Sequence, residues 1–309
     1  MKSITKTTFL FFLLISQIFS STVVVDQSGN GDYLTINEAL NSDMGDTIII
    51  NPGFYIETLN IQSNKTLIGL DTESCIVNYS ITPIYIYGQS NITVKNLRIQ
   101  TSANIALRID NYCSNIEFYG CDFEKSTEIH GGGTKFYNCI FTFNTGNTGV
   151  WIGGGGTNDF YNCIIDGNYY GIRAVSGVTI LYNCIFINNT YGAYSNAQGN
   201  MASYYCLFYN NSQNDYGGQM VGGVGDVTGS DPLFEDGGQY ILSTSSPCID
   251  AGLPSPSNND LDGTRNDIGL HGGPNAPLGL GPVITNISIN PNPITIGGSI
   301  VIEATATNE

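Results

Sequence analysis

Five large polar or aromatic side chains recur at nearly constant intervals along this chain. They are Arg108, His130, Trp151, Arg173 and Tyr194, and each follows an apolar residue. In a β-strand this pattern points all five outward on one face, and Tyr85 extends the series. Aromatic rings stack on pyranose faces, and guanidinium groups pair with carboxylates or sulfates. The column predicts a strip that contacts a sugar chain; the alternative is a solvated sheet face that large side chains shield.

A second repeat indicates the elements that position this column. Five cysteines recur at similar intervals, each of them shortly after a tyrosine: Cys121, Cys139, Cys163, Cys184 and Cys206. Short β-branched and aromatic runs with a period in the twenties predict a β-solenoid, in which equivalent residues of stacked coils form ladders about 4.8 Å apart. Asn, Gly or Tyr precedes each cysteine, and Asn and Gly tolerate the left-handed conformation of a tight turn, where stacked Asn side chains bond their neighbours.

Three further ladders follow from this register. The cysteines form an inward stack of thiols rather than disulfides, because parallel ladders aim equivalent side chains alike. The pairing of Cys75, Cys113 and Cys248 stays open. The tyrosines that precede the turn stack on one another, with a binding platform as the alternative: Tyr119, Tyr137, Tyr161, Tyr182 and Tyr204. An outward apolar stripe of Ile140, Ile164, Ile185 and Leu207 needs a cover, which we assign to residues 231–274.

The chain divides into five parts. Residues 1–20 have a basic start, an apolar core and a small-residue end, as in a secretory signal peptide, and no later segment is apolar for long enough to span a bilayer. Residues 21–46 form an N-terminal cap, in which Thr35 and Glu38 have the spacing of a helix capping box. The parallel coils occupy 47–230, a tail 231–278, and alternating β-sequence 279–309.

These segments carry a resemblance. The ladder before each cysteine resembles the right-handed parallel β-helix of the pectate-lyase-like superfamily, and residues 26–40 and 51–57 resemble pectinesterases. The tail, with Asp231-Pro232-Leu233-Phe234 and Ser246-Pro247-Cys248-Ile249-Asp250, is similar to tails of bacterial secreted β-helix proteins. Residues 282–302 resemble the first strands of a bacterial immunoglobulin-like domain, incomplete here. The resemblance implies an all-β parallel β-helix whose Arg108 strand borders the substrate groove.

The sequence gives little support for catalysis. Beside the arginine column only Asp110 is acidic, so we expect neither the calcium-binding acids of a lyase nor the paired carboxylates of a glycosidase. The later pectinesterase motifs are not found, and catalytic residues stay unassigned. We expect no cofactor and no metal site, with calcium near Asp260, Asp262 and Asp267 as the one possibility, although the loop lacks the bidentate Glu of an EF-hand.

Charge bears on the partner. The formal net charge is −16, and it becomes −18 without Lys2 and Lys6 of the leader, so nucleic acid is not an expected partner. We expect a secreted or cell-surface module that contacts polysaccharide through the column without catalysis. The rivals are a polysaccharide lyase that uses the same strip and a structural stalk or adhesin. The glycan and the oligomeric state stay open.

Overall fold

The computed structural model of the chain describes residues 21–42, 45–142, 146–236 and 238–277, together with the backbone of 283–290 and 301–307. The predicted signal peptide lies outside the described residues. Most of the described chain winds into stacked coils in which equivalent strands pair in parallel. The coils have three faces, two of which belong to one 15-stranded sheet, and the nine strands of the other sheet mark nine coils in the described ranges. Each face is named below as a sheet.

The strands before the asparagine turn form one face, which we call the tyrosine sheet. Its strands are β1 (Thr22–Val25), β2 (Thr47–Ile50), β5 (Thr66–Gly69), β8 (Ser90–Lys95), β11 (Ser114–Tyr119), β14 (Thr134–Tyr137), β17 (Thr157–Tyr161) and the second halves of β19 (Tyr170–Tyr182) and β21 (Tyr191–Tyr204). Along it the five predicted tyrosines stack, with ring centroids 4.6, 4.9, 5.0 and 5.2 Å apart. The stacking prediction is confirmed.

The strands after the turn form a second face, the tail sheet. Its nine strands are β3 (Gly53–Ile56), β6 (Cys75–Tyr79), β9 (Arg98–Thr101), β12 (Asp122–Phe123), β15 (Ile140–Phe141), β18 (Ile164–Asp166), β20 (Ile185–Ile187), β22 (Leu207–Tyr209) and β24 (Val227–Thr228).

The third face, the arginine sheet, carries the predicted strip. Its strands are β4 (Leu59–Asn60), β7 (Ile84–Ile86), β10 (Ile105–Ile109), β13 (Ser126–Ile129), β16 (Thr148–Ile152), the first halves of β19 and β21, and β23 (Asn214–Gly218). Because β19 and β21 bend through both sheets, the arginine and tyrosine sheets are continuous there.

Inward side chains of the three sheets fill one apolar core. Phe118, Phe136 and Phe160 stack through it at 5.1 and 4.9 Å between ring centroids. All eight cysteines are buried free thiols, so the predicted thiol stack is confirmed, and Cys75, Cys113 and Cys248 are unpaired as well. Burial raises the pKa of Cys139, Cys163, Cys184 and Cys206 well above the ordinary thiol value.

A short helix packs against the first coils. Helix α1 (Ile36–Leu40) begins at the predicted capping box, where the Thr35 hydroxyl accepts from the Glu38 amide and the Glu38 carboxylate accepts from the Thr35 amide. The Glu57 carboxylate accepts from the amides of Ile36 and Asn37 and thus satisfies two further donors of the first turn. The apolar side of α1 then joins the core.

The asparagine turns have the predicted backbone, and three of their side chains also bond the tail. Asn96, Asn138, Asn162 and Asn183 have φ of 51–53°. Because the tail runs along this edge, Asn138 and Asn162 donate to it and Asn183 accepts from the Leu253 amide. Asn183 also donates to Asn162 Oδ1 at 3.5 Å. Asn162 donates to Asn266 Oδ1, Asp267 O and Gly269 O at 2.8–3.0 Å. A longer amide-to-amide ladder occurs at another turn, where Asn115 donates to Asn91 and Asn91 donates to Asn64.

The tail covers the apolar stripe of the tail sheet, as predicted. It contains β25 (Phe234–Asp236), paired antiparallel with β26 (Ile241–Leu242), and a 3-10 turn at Pro256–Asn258. Tail and stripe bury one cluster that comprises Ile164, Ile185, Ile187, Leu207, Tyr240, Cys248, Ile268 and Leu270.

After the tail, β27 (Val283–Asn290) and β28 (Val301–Thr307) form an antiparallel hairpin. The incomplete immunoglobulin-like domain stays a prediction. None of the helices in the described ranges has the length and apolar character needed to cross a bilayer.

Candidate functional site

The arginine sheet aligns most of the predicted column, with one correction. In the observed register Tyr85 pairs with Arg108, Arg108 with Glu128, and Glu128 with Trp151. Trp151 then pairs with Arg173, and Arg173 with Tyr194. The strip, as used below, is therefore Tyr85, Arg108, Glu128, Trp151, Arg173 and Tyr194, together with Asp110 and His130 beside it. The prediction that His130 stands between Arg108 and Trp151 in this column was wrong, because Glu128 stands there.

The length of one turn explains this shift. Only Glu124 and Lys125 separate β12 from β13, whereas three residues separate β9 from β10 and six separate β15 from β16. The short turn brings the chain into the arginine sheet two residues early. Because side chains alternate with period two, His130 faces outward on the same side as Glu128, two residues further along the chain. Ile109 pairs with Ile129, so the residues that follow them, Asp110 and His130, are neighbours on adjacent coils.

The corrected register builds a charged cluster around Arg108. The guanidinium contacts both oxygens of Asp110 at 3.2 Å and Glu128 Oε2 at 3.5 Å. The Tyr85 hydroxyl donates to Asp110 Oδ2 at 2.8 Å. His130 Nε2 lies 3.3 Å from Glu128 Oε2 and 4.0 Å from Asp110 Oδ1. Two carboxylates, one guanidinium and one imidazole therefore share one patch of the sheet.

Mutual contacts decide the ionisation of this cluster. Partial burial raises the pKa of Asp110, but hydrogen bonds from Arg108 and Tyr85 and the charge of Arg108 outweigh it, so the pKa of Asp110 lies below its usual value. The hydrogen bond to Asp110 raises the pKa of the Arg108 guanidinium. The same carboxylate raises the pKa of Tyr85. Near neutral pH the cluster thus holds an ionised Asp110, a charged Arg108 and a protonated Tyr85.

Glycines let two aromatic rings of the strip lie against the sheet. A Cβ at Gly153 would stand 1.8 Å from Cη2 of Trp151, so the indole occupies the space above that glycine. A Cβ at Gly217 would stand 2.4 Å from Cδ2 of Tyr194 in the same way. The imidazole of His130 flanks the indole, with ring centroids 4.7 Å apart and the planes tilted by 48°. The seated rings stay half-buried rather than enclosed.

The other end of the strip is aromatic and cationic. The Arg173 guanidinium carbon lies 5.0 Å from the Tyr170 ring centroid and 5.9 Å from that of Tyr194, and Nε donates to Asn196 Oδ1 at 3.3 Å. Tyr170 and Tyr191 stack at 5.1 Å. Within the described part of the chain, no carboxylate forms an ion pair with Arg173, in contrast to Arg108.

A shallow groove of about 380 Å³ runs beside the strip. Glu128, His130 and Trp151 of the strip line it. The other lining residues precede the strip on their strands or lie in the turns before them: Asn104, Ile105, Ser126, Asn147 and Thr148. The groove thus offers hydroxyl, amide, carboxylate and indole groups to a ligand.

The site therefore differs from the expectation of isolated acids. Asp110 and Glu128 lie on one face and share Arg108, so the prediction that no paired carboxylates occur on this face was wrong. Equal coil lengths would place His130 in the column, so the sequence pattern alone does not indicate Glu128. The interval from Cys121 to Cys139, the shortest between successive cysteines of the stack, is the signal that could have revealed the short coil.

The carboxylates of the possible calcium site stabilise a turn through hydrogen bonds. Asp260 accepts from the amides of Asp267 and Gly273, Asp262 accepts from the Thr264 amide and hydroxyl, and Asp267 accepts from the Asp250 amide. Across the described residues, no three His, Cys, Asp or Glu side chains are grouped so as to hold a metal ion. Calcium at this turn stays a prediction.

Comparison with known proteins agrees with this architecture. Residues 82–231 match the family model described as right handed beta helix region. The coils form a right-handed parallel β-helix. The predicted fold class is confirmed, and a comparison with curated protein sequences finds no match.

Solved structures similar to this β-helix include three pectin methylesterases. The carrot enzyme is 17% identical with a TM-score of 0.41, over 60% of this chain and 62% of that one, so the chain spans less than two thirds of it. PemA from Erwinia chrysanthemi is 13% identical with a TM-score of 0.47, over 65% and 81%. The Aspergillus niger enzyme is 14% identical with a TM-score of 0.42, over 68% and 83%.

Proposed function

We propose that this protein is a secreted or cell-surface β-helix module that binds extracellular polysaccharide along the strip and does so without catalysis. Export is supported by the leader-like residues 1–20. A polysaccharide partner is supported by the strip, whose side chains suit sugar rings and hydroxyls. A linear row of subsites on consecutive strands matches a linear polymer.

The observation that carries the proposal is the seating of Trp151 on Gly153. A side chain at residue 153 would overlap the indole. Because residue 153 is a glycine, that space is available to the indole. An indole that lies against a sheet can present its opposite face to a pyranose ring, where C–H groups meet the π-system. Tyr194 repeats the arrangement over Gly217, two coils further along.

The test is a glycan-array screen with the purified protein and a pair of matched glycine variants. Gly153→Ala displaces the indole, whereas Gly155→Ala lies in the same turn and its Cβ meets nothing within 4 Å. We expect Gly153→Ala to weaken glycan binding about tenfold, the loss of roughly one stacking contact, while Gly155→Ala binds like the wild type. Trp151 is the only tryptophan, so its fluorescence reports the displacement directly.

Two outcomes would count against this function. Equal binding by both glycine variants, with the indole shifted in Gly153→Ala, would remove Trp151 from the interface. Absence of binding to any neutral or acidic glycan would leave the structural stalk or adhesin as the better description.

A carbohydrate-active enzyme is the second candidate, because Asp110 and Glu128 now share one face beside His130. Glycoside hydrolysis uses two carboxyl groups, one ionised and one protonated, and the lowered pKa of Asp110 suits the ionised role. A lyase would use His130 or Glu128 as the base that removes a proton. Reducing-end assays and absorbance of unsaturated uronates decide this: product that Asp110→Asn and Glu128→Gln abolish would establish catalysis.

A further inference from the structure

We propose that a second groove, on the early coils of the tail sheet, binds an uncharged sugar of the same glycan, and that the glycan reaches it across the short turn between β12 and β13. This inference rests on the proposed polysaccharide-binding function. It extends the binding surface from the arginine sheet around one corner of the coils onto the tail sheet.

The second groove has a volume of about 520 Å³ and is polar. Asn78 and Gln100 are paired in register on β6 and β9, and Gln100 Nε2 donates to Glu124 Oε1 at 3.0 Å. The groove therefore presents amides, hydroxyls and a carboxylate on neighbouring coils. Its lining residues are Asn78, Gln100, Thr101, Ser102, Glu124 and Lys125.

Several polar atoms of this groove keep their hydrogen-bonding capacity for a ligand. The Asn78 amide and the Ser102 hydroxyl bond no residue in the described part of the chain. Glu124 Oε1 accepts from Arg98 Nε at 2.6 Å and from Gln100, whereas its Oε2 accepts from none of the described residues. Because a sugar hydroxyl both donates and accepts, it can pair with the amide and with the free carboxylate oxygen at once.

The charges around the second groove favour an uncharged sugar. The Arg98 guanidinium beside it contacts Glu73 at 2.9 Å, Asp122 at 3.4 Å and Glu124 at 2.6 Å. Three carboxylates thus share this cation, and Lys125 is engaged as well. An acidic sugar would find no free cation here and would lie close to Glu124, so repulsion between like charges opposes its binding.

The second groove meets the groove beside the strip at one corner of the coils. Lys125 lines the second groove and Ser126 the first, just as Ser102 lines the second and Asn104 the first. The turn between β12 and β13 has two residues, whereas the turns of the neighbouring coils have three and six. A two-residue turn projects least from the corner and leaves a passage between the grooves. Residues 124 and 128 are separated by at most about 14 Å of extended chain, which a short oligosaccharide can span.

The test measures by calorimetry the binding of neutral hexasaccharides from cellulose, xylan, mannan and laminarin, joined by the hexasaccharide of any other neutral glycan that the array identifies. We expect the wild type to bind at least one of them, and Asn78→Ala to bind it about fivefold more weakly, the effect of roughly one net hydrogen bond. The matched control is Asn200→Ala, which removes an exposed amide from β21 on the tyrosine sheet and should bind like the wild type.

A second variant tests the path across the turn. Gly-Ser-Gly inserted between Glu124 and Lys125 lengthens the short turn and should reduce the affinity about fivefold, and Asn78→Ala should then cause no further loss. The same insertion after Gly88, an exposed glycine in the turn from β7 to β8 at the opposite corner of the arginine sheet, should leave binding unchanged. Melting curves verify that each variant is folded.

The outcomes separate this inference from the function beneath it. Wild-type affinity in Asn78→Ala, or an equal loss in Asn200→Ala, would overturn the inference, while weaker binding by Gly153→Ala would still support the strip. A further loss from Asn78→Ala in the lengthened turn would overturn the path across the corner. Binding to acidic glycans alone would overturn the assignment of an uncharged sugar. Absence of binding to any glycan would overturn both the inference and the proposed function.

Discussion

The bond between tail and coil at Asn162 gives the most direct test of the fold. The Asn162 side-chain amide donates to Asn266 Oδ1 at 2.9 Å, Asp267 O at 2.8 Å and Gly269 O at 3.0 Å, all on the tail. Asn162→Ala deletes these bonds and leaves the apolar contacts of the tail in place. We therefore expect the tail to detach more often, while the coils remain folded.

The expected size follows from the donors. The amide has two hydrogens to share among three acceptors, and each buried hydrogen bond contributes about 1 kcal/mol net, so detachment becomes easier by about 2 kcal/mol. That change corresponds to a roughly 30-fold larger population of the detached state. Ala at a φ of 53° adds about 1 kcal/mol of backbone strain, but this strain burdens the coil whether or not the tail is bound.

Cys248 offers the readout. It is buried between tail and coils, and burial raises its pKa to about 12, so its thiol reacts only when the tail opens. Cys163 lies inside the coil and reports unfolding of the β-helix itself. Thiol labelling with peptide mass spectrometry should show Cys248 in Asn162→Ala modified about 30-fold faster than in the wild type, with Cys163 still protected.

Two control variants separate the effect of the lost side-chain hydrogen bonds from the effect of backbone strain. Asn162→Gly removes the same bonds without strain and should accelerate Cys248 labelling as much as Asn162→Ala does. Asn96→Ala carries the same strain at φ 52°, but the Asn96 amide donates to Gly69 of a neighbouring coil, so Cys248 should label at the wild-type rate. Equal acceleration by Asn96→Ala, or none by Asn162→Gly, would refute the assignment of these bonds to tail attachment.

Three further predictions concern thiols, strain and pH. All eight cysteines should resist a thiol reagent in the native protein and react in denaturant; a total below eight would reveal a disulfide. Tyr112→Gly should raise the melting temperature, because Tyr112 is 84% exposed at φ 66°, which costs about 1 kcal/mol; an unchanged or lower value would contradict this. Burial raises the pKa of Asp122 to about 7 despite the charge of Arg98, so the folded chain keeps a proton that the unfolded chain releases near pH 4. The free energy of unfolding therefore falls as the pH rises from about 4 to about 7. In urea unfolding, the stability of Asp122→Asn relative to the wild type should be higher at pH 7 than at pH 5. The same stability difference at both pH values would argue against this assignment.

The sequence was most informative about the interior. Each inward position of a coil meets the same neighbours as the coil before it, so Cys139 and Cys163, or Phe136 and Phe160, recur with the repeat and reveal it. The tail was predictable for a related reason: exposed Ile164 and Ile185 would be unfavourable in water, which requires a cover somewhere in the chain. The bonds that it accepts from Asn162 were not predictable, because they join residues more than 100 positions apart.

The outer surface was less predictable because turn lengths vary. The core tolerates a turn of two residues between β12 and β13 as readily as one of six between β15 and β16, and the difference appears only in which outward residues line up. Alternation showed correctly that His130 faces outward, but not that Glu128 stands level with Arg108 and Trp151. The charged cluster therefore emerged only from the strand register.

The orientation of the aromatic rings indicates which face remains for a ligand. On the tyrosine sheet, rings such as Tyr137 and Tyr161 stack face to face at 4.9 Å, so their faces are used within the protein. On the tail sheet, the tail occupies the coils around Ile164 and Ile185. On the arginine sheet, Trp151 rests on a glycine and, among the described residues, has no neighbouring ring stacked parallel to it, because His130 is tilted by 48°. A ring that the fold does not pair on both faces can still stack on a sugar, and this is why we propose this sheet for carbohydrate binding.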